Sequence, residues 1–155
     1  PEQVPEEALQ EILRAGLYAP SGMGRQSVKL LAVQDPAAIA ALERLNGGVL
    51  GSPEAHPFYG APTVCVVLAD AAAFTAVEDG SLALGNLMNA AHSLGIASCW
   101  IHRAREVFAS AEGKALLQQG GVEGEWIGIG HCILGYAAEP EKPAAPRLEG
   151  RIVRI

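Results

Sequence analysis

The stretch TVCVVLA, residues 63–69, is a continuous apolar run that is rich in β-branched side chains and has no polar alternation. Such a run is typical of a strand whose two faces are both covered by other parts of the protein. We therefore expect residues 63–69 to form the centre of a sheet, with further chain packed against each face.

The rest of the chain alternates between apolar runs and helical patterns. Short runs rich in Val, Ile and Leu predict three more strands, over residues 28–34, 96–101 and 126–136. Apolar residues at helical spacing predict helices over residues 5–18, from the Asp35-Pro36 N-cap to near residues 46–48, and over 78–94 and 106–119. Residues 48–62 are predicted to form a loop, and the proline-rich residues 137–155 an extended tail.

The predicted helix over residues 78–94 is apolar on nearly every side. Leu82, Leu84, Leu87 and Leu94 do not fall on one face of a helix, and alanines fill much of the remaining surface. A monomer of this size cannot cover so much apolar surface, so the pattern predicts burial against a second subunit. We therefore expect a homodimer.

Composition and charge limit the classes of function. The 155-residue chain is 50% hydrophobic and 18% charged, which excludes a disordered or fibrous protein and predicts one domain over residues 1–155. Its formal net charge is −6 and its basic residues are scattered singly, so we expect no nucleic-acid partner. The apolar runs fall short of the roughly 20 residues that a membrane-spanning helix needs, so we expect no membrane association.

The cysteines indicate a reducing compartment and offer no metal site. Cys65, Cys99 and Cys132 each lie inside an apolar stretch, and their number is odd. This usage predicts three buried, reduced thiols in a cytoplasmic protein. Neither the cysteines nor the histidines show the spacing of a metal motif, so we expect no bound metal.

One histidine stands out by its position. His102 directly follows the predicted strand 96–101, and functional residues of α/β proteins are often found at the carboxyl ends of strands. His102 is therefore a candidate site residue. His92 and His131 lie within predicted elements, so we expect their polar atoms to be satisfied by the surrounding structure.

Four phrases of the sequence resemble those of a known family, in the same order and spacing. They are APSGMGRQ at residues 19–26, NLMNAAHSLG at 86–95, SCWI at 98–101, and LGY at 134–136 followed by the proline-rich residues 140–147. Together they resemble the FMN-dependent nitroreductase family, and the tail is most similar to small nitroreductase-like proteins of anaerobic bacteria. The resemblance covers nearly the whole chain.

The resemblance implies an α+β fold with a mixed central sheet flanked by helices. It also implies a dimer formed through the long central helix, with FMN bound at the subunit interface. The family's loop along the flavin corresponds here to Pro20, Ser21, Gly22 and Met23, and the family's glutamine corresponds to Gln26.

Two further parts of the cofactor site follow from the same resemblance. Backbone N–H groups after the SCWI strand point towards flavin N5 and O4 in the family, and these correspond to His102 and Arg103. A basic residue at the end of the proline-rich tail binds the FMN phosphate, and Arg147 stands at that position. A guanidinium suits this role because it can contact a phosphate through two parallel hydrogen bonds.

The function implied by the resemblance is an FMN-dependent NAD(P)H oxidoreductase. Such an enzyme reduces nitroaromatic or quinone-like acceptors by ping-pong hydride transfer, and the flavin carries the chemistry, so no catalytic side chain is expected. Two alternatives remain open: a flavin-binding dimer without turnover, and an FMN enzyme of another reaction type on the same fold.

Overall fold

The apolar run at residues 63–69 forms the second of four strands in a computed structural model, which describes residues 2–140 and 142–155. The elements in chain order are α1 (Glu6–Leu17), a 3-10 turn (Gly22–Gly24), β1 (Val28–Val33), α2 (Pro36–Leu50), β2 (Thr63–Asp70), α3 (Ala76–Ser93), β3 (Ala97–Ile101), α4 (Ala104–Ala109), α5 (Ala111–Gln119) and β4 (Trp126–Gly135). The four predicted strands are all present, with small shifts at their ends. The α+β class is therefore confirmed.

The strands lie in the order β1-β2-β4-β3, and every neighbouring pair among them is antiparallel. The expectation of mixed strand directions is thus corrected for the described residues. The connection between β1 and β2 consists of α2 and the loop that follows it. A connection of this length can place the next strand parallel or antiparallel, and here β2 runs antiparallel to β1. A β-bulge interrupts the β2–β4 register, since Val67 pairs with Gly130 but Leu68 pairs with Gly128.

Strand β2 is covered on both faces, as predicted. Cys65, Val67 and Ala69 point into one core cluster, with buried side chains of α1 and α3. The alternate residues Val64, Val66 and Leu68 point into a second cluster with side chains of α2, α4 and α5. The sheet therefore separates two helical layers, and all six of these side chains are completely buried.

Two predicted elements have different limits in the structure. The helix predicted over residues 106–119 is two helices, because the backbone of Ser110 is extended and its hydroxyl accepts a hydrogen bond from the N–H of Gly113, capping α5. Helix α2 continues beyond residues 46–48 to Leu50, and the left-handed Gly51 ends it.

Exposed apolar side chains occur on several elements, and α3 and the tail are two of these places. On α3, Leu84 and Leu87 are fully buried, whereas Val77 and Leu82 remain 44% and 49% exposed. The described part of residues 137–155 contains no helix or strand, and every residue in it is exposed, as expected of an extended tail. In the described part of the chain, no helix is both long and apolar enough to cross a membrane.

The prediction of three buried cysteines is wrong for one of them. Cys65 and Cys132 are buried at the centre of the sheet, where they are paired across β2 and β4, but Cys99 is exposed. Cys99 lies on β3, which is an edge strand with only β4 beside it. An edge strand leaves more of its side chains open to solvent than a central strand does.

Candidate functional site

The loop between α1 and β1 carries the first group of predicted site residues. Pro20 and Ser21 lead into the 3-10 turn that contains Gly22 and Met23, and the Ser21 hydroxyl accepts a hydrogen bond from the backbone N–H of Gln26 at 2.9 Å. Met23 and Gln26 have φ angles of 55° and 51°, in the left-handed region. The turn projects the Met23 side chain outward, where it is 79% exposed.

A buried aspartate ties this loop to α3. The Asp79 carboxylate accepts hydrogen bonds from the Gly22 N–H at 2.9 Å, the Ser27 hydroxyl at 2.5 Å and the Thr75 hydroxyl at 3.0 Å. Burial by itself would raise the pKa of Asp79, but the three hydrogen bonds together outweigh it and hold that pKa below its usual value. Asp79 is therefore an ionised anchor for the loop.

Gly22 is the point of closest approach between the loop and α3. A Cβ atom built on Gly22 would lie 2.2 Å from the Thr75 hydroxyl oxygen, which is too close for any other residue type in this arrangement. The glycine therefore allows the loop backbone to lie directly on the N-terminal part of α3.

The second group of predicted site residues lies where β3 ends. His102 follows the last residue of β3, and Arg103 has a φ of 75°, a left-handed conformation that is rare for a non-glycine residue. Asn46 contacts both of them: its Nδ2 donates a hydrogen bond to the His102 carbonyl at 2.8 Å, and its Oδ1 accepts one from Arg103 Nε at 2.9 Å. The backbone N–H groups of His102 and Arg103 have no hydrogen-bond partner among the described residues.

A cavity of about 300 Å³ opens beside this turn. It is lined by residues of α3, β3, the turn after β3, α4 and β4, namely Val77, Ser81, Trp100, His102, Arg105, Glu106, Gly128 and Ile129. Helix α3 thus borders both site segments. Thr75, the residue before α3, and Asp79 lie against the loop, whereas residues 77 and 81, which fall on the opposite side of the helix, line the cavity.

His131 does not meet the expectation that its polar atoms are satisfied. Its ring is completely buried between Phe58 and Phe108, at centroid distances of 5.2 and 5.8 Å. Nδ1 lies 3.5 Å from Asn46 Nδ2, but Nε2 has no hydrogen-bond partner among the described residues. Burial lowers the pKa of His131 to about 4, so the ring is neutral at pH 7.

Arg147 has no described contact with either of the two groups of predicted site residues. It lies in the exposed tail and forms no hydrogen bond or ion pair with the described residues. A larger cavity, about 500 Å³, lies near the other end of β3 beside Tyr59, Cys99 and Tyr136, and none of the predicted site residues lines it.

The sequence interpretation missed Asn46 and Asp79. Asp79 follows Glu78 in the first turn of α3, where acidic residues are common because they favour the positive end of a helix. Asn46 stands before two glycines, a pattern that predicts the end of a helix, although helix α2 continues past it. Neither signal identifies the partner, because the contacted residues lie far away along the chain.

The comparisons with known proteins agree with each other. The model of the Nitroreductase family matches residues 1–136 of this chain. A nitroreductase with bound FMN from Bacteroides fragilis is 31% identical, with a TM-score of 0.87 over 99% of this chain and 89% of that chain. A nitroreductase with bound FMN from Desulfitobacterium hafniense is 26% identical, with the same TM-score and coverage of 99% and 89%.

A third solved structure has a different activity in its name. Iodotyrosine deiodinase bound to FMN and 3-iodo-L-tyrosine is 25% identical, with a TM-score of 0.76 over 99% of this chain and 89% of that chain. A search among curated proteins gave no match.

Proposed function

This chain belongs to the nitroreductase family and is a flavin-dependent oxidoreductase, and we propose that it binds FMN and uses it to pass electrons from NAD(P)H to small aromatic acceptors. The observation that carries the proposal is the turn after β3. The N–H groups of His102 and Arg103 have no acceptor among the described residues, and they lie beside a cavity. An isoalloxazine ring presents acceptor atoms of the kind that two such donors bind.

The two site segments and the tail divide the binding of FMN between them. In this proposal, the loop of Pro20, Ser21, Gly22 and Met23 lies along the ring system, and Gln26 follows it. On the other side of α3, the backbone donors of the β3–α4 turn bind the N5 and O4 edge. Asp79 holds the loop and Asn46 holds the turn, so the two segments keep a fixed spacing across one helix. Because the two segments lie on opposite sides of α3, one flat ring cannot contact both segments of the same chain, and we propose that it lies between the loop of one protomer and the turn of its partner.

Arg147 would bind the phosphate of FMN. Its guanidinium has no ion-pair partner among the described residues, so it is available for an anion, and a phosphate contact to arginine is charge-assisted. In this proposal the tail carries Arg147 to the phosphate in the assembled dimer.

When bound, FMN would supply the hydride chemistry between a nicotinamide donor and the acceptor. The protein's part is to direct N–H donors at the ring and to keep the reacting face dry. No side chain is assigned as a catalytic acid, base or nucleophile. With one ring serving donor and acceptor in turn, we propose ping-pong kinetics.

The cavity beside the turn would hold the flavin ring, and a flat aromatic acceptor would stack on the exposed face of that ring. The walls of the cavity include the indole of Trp100 and the side chains of Val77 and Ile129, while Arg105 and Glu106 provide a charged rim. The lining thus combines apolar walls with polar and charged groups, and the volume of about 300 Å³ suits a single ring system. We propose nitroaromatic and quinone-like compounds as acceptors.

A homodimer of this chain forms the proposed working unit. Val77 and Leu82 on α3 are about half exposed, and the tail side chains Leu148, Ile152 and Val153 are 70% to 87% exposed. Exposed apolar surface of this extent marks an interface, and a second copy would cover it. We further propose that residues 1–155 form one FMN-binding domain and, because all three cysteines are free, that the protein is cytoplasmic.

The test is an anaerobic absorbance titration of the purified protein. FMN should acquire a bound-state spectrum with one FMN per chain, NADH or NADPH should bleach it, and a nitroaromatic or a quinone should restore it. Light scattering should give twice the chain mass of 16.1 kDa. A protein that binds FMN but is not bleached would be a flavin-binding dimer without turnover, and one that binds no FMN would contradict the proposal.

A further inference from the structure

Asn46 is a fully buried polar side chain that belongs to α2, a helix that carries none of the predicted site residues. An amide is costly to bury unless its donors and acceptor are paired. The two shortest hydrogen bonds of Asn46 are directed at the turn between β3 and α4, to the His102 carbonyl and from Arg103 Nε. This buried amide therefore connects the α2 layer to the turn.

The geometry of the peptide bond gives this contact a consequence. In a trans peptide the C=O of one residue and the N–H of the next point in opposite directions. Asn46 draws the His102 carbonyl inward, towards the α2 layer, by a hydrogen bond of 2.8 Å. The N–H of Arg103 must then point outward, away from Asn46.

The same carboxamide also holds the conformation that follows. Arg103 is left-handed, with φ 75° and ψ 9°, although it is not glycine. Its side chain is tied back to Asn46 Oδ1 at 2.9 Å, so both sides of the unusual residue are fixed by one amide group. Residues in sparsely populated backbone regions persist when the surrounding structure determines them in this way, and they cluster at functional sites.

His131 limits the movement of Asn46. Its ring is packed between Phe58 and Phe108, and its Nδ1 lies 3.5 Å from Asn46 Nδ2. A second element also brings the turn close to the sheet, because a Cβ atom on Gly128 would lie 2.3 Å from the carbonyl oxygen of Ala104. The turn is thus held from the α2 layer and from β4.

We propose that Asn46 is a positioning residue of the flavin site, which turns the Arg103 N–H outward so that it can donate a hydrogen bond to the ring. The inference rests on the proposed function, because the ligand of the donor is the FMN proposed above. Asn46 does not touch the flavin itself. Its effect passes through the peptide bond between His102 and Arg103.

Two variants test this role, with a matched control. Asn46→Ala removes both contacts with the turn, whereas Asn46→Asp is isosteric and keeps the Arg103 partner but replaces the donor to the His102 carbonyl with an oxygen that repels it. The control is Asn86→Ala. Asn86 also donates from Nδ2 to a backbone carbonyl, that of Ala15 at 3.1 Å, but it lies on α3 and does not contact the turn.

The first measurement uses the protein without FMN. Amide ¹H–¹⁵N spectra of both Asn46 variants should show shifted resonances for residues 102–104, and the Asn86→Ala spectrum should leave those resonances unchanged. Unshifted resonances in both Asn46 variants would overturn the proposal, because the turn would then not depend on this amide. The isosteric variant keeps the test valid if Asn46→Ala does not fold.

The second measurement is the affinity for oxidised and reduced FMN. Loss of one well-directed neutral hydrogen bond weakens binding about fivefold. Since O4 gains negative charge on reduction, a bond from the Arg103 N–H to O4 should weigh more in reduced FMN, about tenfold or above. The reduction potential of bound FMN should therefore become more negative in both Asn46 variants and stay unchanged in Asn86→Ala. Equal affinities and an unchanged potential, with the turn resonances shifted, would show that Asn46 only supports the fold and would overturn the proposal.

The two hypotheses fail in different ways. If the unaltered protein binds no FMN, the proposed function and the ligand assigned to the Arg103 donor both fail, and the amide spectra show whether Asn46 still holds the turn. If the unaltered protein binds FMN and the Asn46 variants bind it equally well, the proposed function stands and only the role of Asn46 fails.

Discussion

Replacement of Asp79 should measure how much its hydrogen bonds between the loop and α3 contribute to the stability of the protein. Asp79 is only 3% exposed and accepts three hydrogen bonds, from Gly22, Ser27 and Thr75. Asp79→Ala would leave two hydroxyl groups and one backbone N–H without their acceptor. Asp79→Asn would keep one acceptor oxygen for the Gly22 N–H, and the two hydroxyl groups could rotate to accept from the new amide.

The magnitudes follow from the number and kind of the bonds. Hydrogen bonds to a charged group contribute about 1.5 to 3 kcal/mol each and are not additive when they share one acceptor. We expect Asp79→Ala to lower the free energy of unfolding by about 3 to 5 kcal/mol and Asp79→Asn by about 1 to 2 kcal/mol. In a domain of this size, the melting temperature should fall by roughly 6 to 20 °C for the alanine variant.

The effect should depend on pH in a defined direction. The pKa of Asp79 is lower in the folded protein than its unfolded value of about 3.9, so its ionised form stabilises the fold. That stabilisation is fully present above about pH 5 and is lost as the pH falls through 3.9 towards the folded pKa. The difference in unfolding free energy between the unaltered protein and Asp79→Asn should therefore shrink as the pH falls from 6 to 3.

Urea unfolding at pH 6, 5, 4 and 3, followed by circular dichroism, measures this difference. The matched control is Asp70→Asn, since Asp70 also accepts a backbone N–H, from Ala72 at 2.9 Å, but is exposed. The control should change stability by less than about 0.5 kcal/mol. A pH-independent difference for Asp79→Asn, or an equal effect in the control, would refute the assignment of Asp79 as an ionised anchor.

Two more predictions concern single side chains. A thiol reagent should label Cys99 in the native protein but Cys65 and Cys132 only after unfolding, since burial raises the pKa of both buried thiols, that of Cys132 to about 12. Native labelling of two or more thiols per chain would contradict this. Arg147→Ala should weaken FMN binding by roughly ten- to a hundredfold and leave riboflavin binding unchanged, as fluorescence quenching at fixed salt would measure; an unchanged FMN affinity would place the phosphate elsewhere.

The elements that could be predicted are those whose signal is local. Strand β2 is visible in the sequence because a β-branched run without alternation has few other uses. The division of residues 106–119 into α4 and α5 is not visible, because the apolar spacing continues across Ser110, and the break depends on a side-chain cap that competes with helical hydrogen bonds. Cys99 is similar, since the composition of its strand does not reveal that it lies at an edge.

The site residues could be predicted only in the segments whose sequence carries the family resemblance. The loop and the turn were identified by phrases of the sequence, but the residues that hold them were not. Asp79 contacts Ser27, and Asn46 contacts Arg103, although each pair is far apart in the sequence. Such contacts are determined by how the helices pack on the sheet. Secondary-structure propensity and apolar spacing describe each element by itself, so they contain no information about these contacts.

The order of the strands also bears on how the chain folds. One edge of the central strand β2 pairs with β4, which lies in the last third of the chain, and Thr63 is paired with Leu134. Pairing over such a separation requires closure of a long loop before any contact energy is gained, and this slows folding. During synthesis, the backbone hydrogen-bonding groups on one edge of β2 therefore stay unpaired until β4 has left the ribosome. The turn after β3, which depends on β4 for its support, can form only at that last stage.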